Sequence, residues 1–389
     1  MQLTQSPQSV SSRVGDPTRY VATIPELLSE PWGSDPVGFY VSEYVDNLTT
    51  EEAVRSLLVL NYPGTDARTL ENYLTTYRPG GFILMGSNIP ATPEELAALT
   101  GVLRSSEEFP RLVGIDQEGG VVSRLPYDSA AGANVLRFEP VGSTIQAFSQ
   151  RSALLESLGI NLNFGIVGDI SADPTSFIYS RSFGGDPQSA SERVEAAVLA
   201  ETSVLSTVKH FPGHGSAPGD SHVGIPISPL SYDQWLTTEA VPFIKAISAN
   251  VPVVMFGHLS FPAVDSQPSS LSPTWHNILR NDLGFDGIII TDDMTMLENS
   301  GNPEYADPGT NAVRALGAGA DVLLYVPAVS FNPDTVVQAV LSAIDQGILS
   351  EAAIRESVGR VATERRLMFA GAQTWVPPCD ERCFIRITY

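Results

Sequence analysis

Along most of the chain, short apolar runs alternate with longer stretches in which hydrophobic residues recur every three or four positions. The first pattern predicts buried strands and the second amphipathic helices; together they describe repeated βα units around a parallel sheet. Eight strands are expected, at 56–60, 81–85, 111–115, 161–164, 207–210, 252–257, 287–291 and 321–326. Helical periodicity separates most of them, as at 93–104, 143–158, 189–203 and 310–316, and a last helix is expected over 351–369. Eight such units close most simply into a (β/α)8 TIM-type barrel, an α/β fold whose active site lies at the C-terminal ends of the strands. The polar, Gly-rich segments sit where that rule needs them. DQEGG follows the third strand, KHFPGHG lies at the fifth, GH follows the sixth and TDDM ends the seventh.

The remainder of the chain adds little to this unit. Residues 1–36 are rich in Ser and Pro without sustained periodicity and read as an arm or linker. Residues 37–370 form the single barrel domain, and 371–389 are a tail containing Cys379 and Cys383. Those cysteines are the only two in the chain; a small local disulfide is expected slightly ahead of two free thiols, and a zinc site needs more ligands than this tail offers. A formal charge of −22 without a basic patch argues against nucleic acid or an anionic lipid surface as partner. No apolar run approaches the roughly 18 residues of a membrane span. The N-terminus carries no secretory signal, yet the acidic surface and cysteine pair favour a secreted or cell-surface protein over a cytoplasmic one. A monomer is expected.

Candidate chemistry gathers at the strand exits. Lys209-His210-Phe211-Pro212-Gly213-His214-Gly215 holds two of the five histidines, and Asp220-Ser221-His222 follows. Pro212 and the glycines rule out a helical metal pair. Asp220 and His222 are close enough for a carboxylate to orient an imidazole that moves a proton near neutral pH; the alternative is a solvated loop. Asp292 ends an apolar strand, a placement suited to a nucleophile or electrostatic stabiliser, whereas Asp293 reads as a cap of the next segment. Asp116, Glu118 and Arg124 lie around Gly119-Gly120, a carboxylate and guanidinium set able to bind several hydroxyls, although Glu118 is equally an ion-pair partner for a nearby Arg. Arg181 lies in a Gly- and Phe-containing loop before a helix start at Pro187. Lys209 is one of only two lysines in the chain, which sets it apart from generic surface charge.

Taken in order, DQEGG with Arg124, SRSFG, KHFPGHG with DSH, and TDDM resemble glycoside hydrolase family 3, in particular its bacterial β-N-acetylhexosaminidase branch. The resemblance spans about residues 80–296, with the eighth unit continuing to about 346. It implies a retaining mechanism through a covalent glycosyl-enzyme on Asp292. His222, oriented by Asp220, would be the general acid/base, and Asp116, Arg124, Arg181, Lys209 and His210 would bind the sugar. It implies neither metal nor organic cofactor and a small saccharide as substrate. His214 is expected to order the loop, and His258 to lie at the barrel mouth. The sequence departs from the family at Val121-Val122-Ser123, where a further Arg usually follows the glycines. Larger family members take their acid/base from a second domain; the chain after residue 370 has no room for one, which places the acid in the barrel.

The leading expectation is therefore an exo-acting β-N-acetylglucosaminidase acting on cell-wall or chitin-derived fragments. A β-glucosidase, a β-xylosidase or a phosphorylase of the same family is the nearer alternative. A zinc-dependent barrel hydrolase and a non-enzymatic sugar-binding protein are the more distant ones. The first lacks a His-x-His pair at the exit of the first strand, which reads Leu60-Asn61-Tyr62-Pro63-Gly64. The second would have no use for Asp292 and His222.

Overall fold

The computed structural model of the protein describes residues 36–104, 109–221, 223–327 and 331–369. His222, the N-terminal arm before Pro36 and the Cys379/Cys383 tail lie outside the described residues.

Eight parallel strands close into a barrel: β1 (Leu58–Leu60), β2 (Gly81–Leu84), β3 (Leu112–Ile115), β4 (Leu162–Val167), β5 (Leu205–Phe211), β6 (Val253–Phe256), β9 (Ile288–Asp293) and β10 (Val322–Tyr325). A short antiparallel hairpin, β7 (Ser260–Phe261) with β8 (Asp265–Pro268), interrupts the alternation after β6. β1 pairs with both β2 and β10, which completes the ring. The expected (β/α)8 TIM-type fold is thus the observed one. Strands such as β6 read as uninterrupted apolar runs because helices cover their outer surface while side chains fill the interior.

Two strand boundaries differ from the sequence expectation for local reasons. Thr49 and Glu52 form a reciprocal capping box, so a helix runs through Ser56 and the first strand begins only at Leu58. β4 continues past Gly165 to Val167, since Ile166 and Val167 pair with Val208 and Lys209 of β5, which overrides a glycine's weak strand propensity. The helix Pro187–Ala200 starts as expected, with Pro187 in its first turn and Asp186 capping Ser189 N–H.

Two packing features fix the strands that carry the chemistry. The Phe211 ring lies 4.9 Å from Phe256, 5.3 Å from Phe243 and 5.9 Å from both Trp235 and Trp275. Trp235 Nε1 donates to the Pro212 carbonyl at 2.7 Å, so the chain is pinned immediately after Lys209-His210. At the opposite end, the buried Asp321 carboxylate accepts from Ile289 N at 2.8 Å, Ser357 Oγ at 2.7 Å, Arg360 Nε at 2.9 Å and Arg280. This ties the start of β9 to the last helix, Glu351–Phe369, and sets the height at which Asp292 leaves the barrel.

Candidate active site

The exits of β3, β4, β5 and β9 bring one cluster of charged side chains together. Lys209 Nζ, on β5, contacts Asp116 Oδ1 at 2.8 Å and Glu118 Oε1 at 2.7 Å. Arg181 grips the same Glu118 with two bonds, Nη2 to Oε1 at 2.7 Å and Nε to Oε2 at 3.0 Å. Arg124 Nη2 reaches Asp116 Oδ2 at 3.4 Å. Buried charges persist only when paired in this way, and the bidentate Arg–carboxylate fork adds direction to the pairing.

Exposure divides the cluster into a floor and a lip. The Lys209 and Glu118 side chains are 3% and 5% exposed, whereas Asp116 and Arg124 are 19% and 30% exposed. Asp116 and Arg124 are thus the members that offer hydrogen bonds to an incoming ligand, and Glu118 is the hub that holds two cations beneath them. Burial would raise the Asp116 carboxyl, but Lys209 and then Arg124 outweigh it and hold it at about 2. Glu118 is also held below its ordinary range: Lys209 and Arg181 overcome its burial.

His210 extends the cluster inward. Its Nδ1 lies 2.6 Å from Asp169 Oδ2, and its Nε2 lies 3.2 Å from Arg181 Nη2. Burial, and then the Arg181 charge, keep the ring well below the usual imidazole range, so it is neutral. The buried His214 ring lies 6.2 Å away, centroid to centroid, and neither of its nitrogens has a hydrogen-bond partner among the described residues. Its backbone N–H donates to Asp169 Oδ1 at 2.7 Å.

Asp292 is part-buried at the end of β9, with Oδ1 accepting from Asp293 N at 2.8 Å. Burial would raise its carboxyl, but the His210 and His258 rings, the Asp293 N–H and the Lys209 ammonium hold it below the ordinary range. An ionised carboxylate is the form a nucleophile requires. Asp293 is turned to a different task. Its carboxylate accepts from Thr295 N at 3.0 Å, Thr295 Oγ1 at 2.7 Å and Val326 N at 2.9 Å, which ties the strand end to the segment that follows and to the exit of β10; the N-cap of the next helix is Met294, not Asp293 as the sequence suggested. His258 is buried beside the strand end, with Nε2 3.0 Å from the Asp293 carbonyl and Nδ1 2.6 Å from Ser270 Oγ. Asp220 lies on the loop after β5, where its carbonyl accepts from Val223 N at 3.1 Å. The described residues contain no group of three or more His, Cys, Asp or Glu side chains placed to hold a metal ion.

The loops rest on buried polar braces. Gln117 Oε1 accepts from Arg124 N at 2.8 Å and Leu125 N at 3.1 Å, curling the DQEGG segment back on itself. Gly119 has φ +79, and a Cβ there would stand 2.2 Å from Arg151 Nη2, so the turn excludes any side chain. Glu201 holds the loop through Asn163, whose Nδ2 donates to Oε1 at 2.7 Å. Glu239 underlies the His-rich loop, where a Cβ on Gly213 would lie 2.6 Å from its Oε2.

Burial pushes both glutamates up to about 8, and each keeps one carboxyl oxygen without a partner among the described residues. Their folded pKa lies above the unfolded 4.5, so the stability they contribute is full below that value and is lost as pH rises through about 8. Burial lowers the pKa of the His210, His258 and His276 rings, so they are neutral in both states above about pH 7 and add no slope there. Unfolding free energy is therefore expected to fall by roughly 1 kcal/mol or more from about pH 7 to pH 9. Urea titrations across that range check this, and Glu239→Gln should reduce the slope.

Sequence reading found Asp116, Arg124, Arg181, Lys209, His210 and Asp292, which share one barrel mouth, and left Glu118 open between two roles. It missed Asp169. The signal was present: a carboxylate two residues past a buried strand, the same placement that drew attention to Asp292. Ending the fourth strand at 164 rather than Val167 hid it. A separate cavity of about 240 Å³, lined by residues such as Arg137, Tyr179 and Asp186, contains none of the clustered carboxylates.

Comparison with known proteins identifies the family. The chain is 31% identical over 326 residues to an uncharacterized secreted glycosyl hydrolase of Arthroderma benhamiae, covering 80% of this chain and 92% of that protein. It is 31% identical over 382 residues to the beta-hexosaminidase LpqI of Mycobacterium tuberculosis, covering 92% and 91% of the two chains. The structure of a glycoside hydrolase family 3 beta-N-acetylglucosaminidase from Paenibacillus sp. str. FPU-7 superposes with a TM-score of 0.77 at 32% identity. That likeness covers 84% of this chain, which spans 64% of the Paenibacillus chain. The profile of the Glycosyl hydrolase family 3 N terminal domain matches residues 49–364, a span that takes in every strand of the barrel. On that match and those relatives, the chain belongs to glycoside hydrolase family 3 and is a glycoside hydrolase.

Proposed function

We propose that the protein is a retaining, exo-acting β-N-acetylhexosaminidase that releases terminal N-acetylglucosamine from cell-wall or chitin-derived saccharides. The observation that carries this reading is the ionised Asp292 carboxylate at the mouth of a barrel whose neighbouring strand exits present Asp116, Arg124, Arg181, Lys209 and His210. The relatives named for hexosaminidase activity support the choice of sugar.

In the first step Asp292 attacks the anomeric carbon as the bond to the glycosidic oxygen breaks. His222, as imidazolium, gives its proton to that oxygen. In the second step neutral His222 takes a proton from water, the water oxygen bonds to the anomeric carbon, and Asp292 leaves as carboxylate. Asp220 orients His222 and stabilises its charged form. Asp116 and Arg124 bind sugar hydroxyls at the lip, with Lys209, His210 and Arg181 beneath them, in bonds that strengthen as positive charge develops on the ring.

A panel of aryl β-glycosides, assayed with and without phosphate and after chelation, tests the reading. Fastest turnover of the N-acetylglucosaminide, unchanged by phosphate or chelator, is the expected result. Preference for the glucoside or xyloside, a product carrying phosphate, or zinc-restorable loss on chelation would each replace it. His222→Ala is expected to slow substrates with poor leaving groups by about 10²-fold or more, and activated aryl glycosides much less. Equal losses on both would remove His222 from the acid role.

A further inference from the structure

We propose that Asp169 is a positioning residue that locks His210 in the tautomer protonated at Nδ1, so that the Nε2 lone pair accepts from Arg181 and helps hold that guanidinium at the sugar pocket. The inference rests on the glycosidase reading for its functional meaning, but its geometry stands apart from it. Asp169 is 1% exposed and its two oxygens serve three N–H groups: His210 Nδ1 at 2.6 Å, His210 N at 3.2 Å and His214 N at 2.7 Å.

The far side of the ring supplies the second constraint. Arg181 Nη2, 3.2 Å from Nε2, can only donate, so Nε2 must carry the lone pair and the proton must sit on Nδ1, facing Asp169. Arg181 is itself fixed by its fork onto Glu118 and cannot turn away without breaking both bonds. Carboxylate, imidazole and guanidinium thus form a chain in which each donor–acceptor direction is determined by the next.

Two consequences follow. The single lone pair of Nε2 is taken by Arg181, so the lock fixes that N–H and with it the direction in which the guanidinium faces the pocket. Asp169 also ties the β5 exit to the first turn of the loop that carries Asp220, so one buried carboxylate sets both the sugar floor and the root of the proton-transfer loop. An asparagine cannot replace it. One amide oxygen cannot serve three donors, and its NH2 group would either confront a backbone N–H or donate to Nδ1 and force the wrong tautomer against Arg181.

The test combines 15N NMR of histidine-labelled protein with kinetics. The His210 signals, assigned by their loss in His210→Gln, should show Nδ1–H in the unliganded wild type and shift toward Nε2–H in Asp169→Asn. Asp169→Asn should lower kcat/KM by about 10²-fold, and by far less in the His210→Gln background, because the residue acts through that ring. Wild-type protein with Nε2–H at His210, or an Asp169→Asn loss of equal size in both backgrounds, would overturn the proposal. The wild-type spectrum decides even if Asp169→Asn fails to fold. It also decides if the substrate panel overturns the hexosaminidase reading, so the two failures are distinguishable.

Discussion

Replacing Asp292 with alanine is expected to lower kcat by about 10⁴-fold or more while leaving the fold intact. The size of the effect follows from the proposed role: without the carboxylate no covalent intermediate would form, and binding by the cation–carboxylate cluster would not substitute for bond formation. The fold is spared because the exit of β9 is held by the neighbouring residue, whose carboxylate binds Thr295 and Val326 N. Circular dichroism and thermal melting should therefore match wild type. In the wild type, a 2-fluoro glycoside with a good leaving group should label the peptide containing Asp292. A variant that retains a tenth of the wild-type rate, or a label on another residue, would sink the nucleophile assignment.

Lys209→Met should damage both stability and binding. The ammonium is the shared partner of Asp116 and Glu118 in a site that excludes most water. Burial would lower its pKa, but the two carboxylates raise it, so it remains charged in the folded protein. Removing one partner of a buried ion pair costs about 3–5 kcal/mol, because the remaining charge stays buried. Glu118 keeps its Arg181 fork, while Asp116 retains only Arg124 at 3.4 Å, so the lower end of that range is expected.

The pH dependence provides a sharper signature. In the wild type Asp116, held at about 2, contributes stability that is complete above its ordinary value of 3.8 and is lost as pH falls toward 2. In Lys209→Met, burial without the ammonium favours the protonated carboxyl, so acidification relieves the defect. The difference in unfolding free energy between the two proteins should be large at about pH 7 and shrink toward pH 4. A difference independent of pH would mean that lost packing, not lost charge, explains the variant.

Much of this molecule was legible in one dimension because strand and helix periodicities are local properties and a barrel always places its chemistry at the strand exits. Apolar runs ending in DQEGG, KHFPGHG and TDDM marked the active end of the barrel before any coordinate was known. The roles of Glu118, Asp169 and Glu239 were not legible. Glu118 meets Arg181 across 63 positions of sequence and Lys209 across the β3 and β5 exits; Asp169 meets His210 across 41 positions. Spacing carries no information about which of the 44 acidic residues closure of the ring will bury beside a given cation. Sequence alone determined the architecture and the residue types at its mouth, since both depend on neighbours along the chain. Which carboxylates lie in the floor, at the lip or against the His210 ring was decided only by the tertiary structure, because protonation and hydrogen-bond direction depend on what stands within about 3 Å in space.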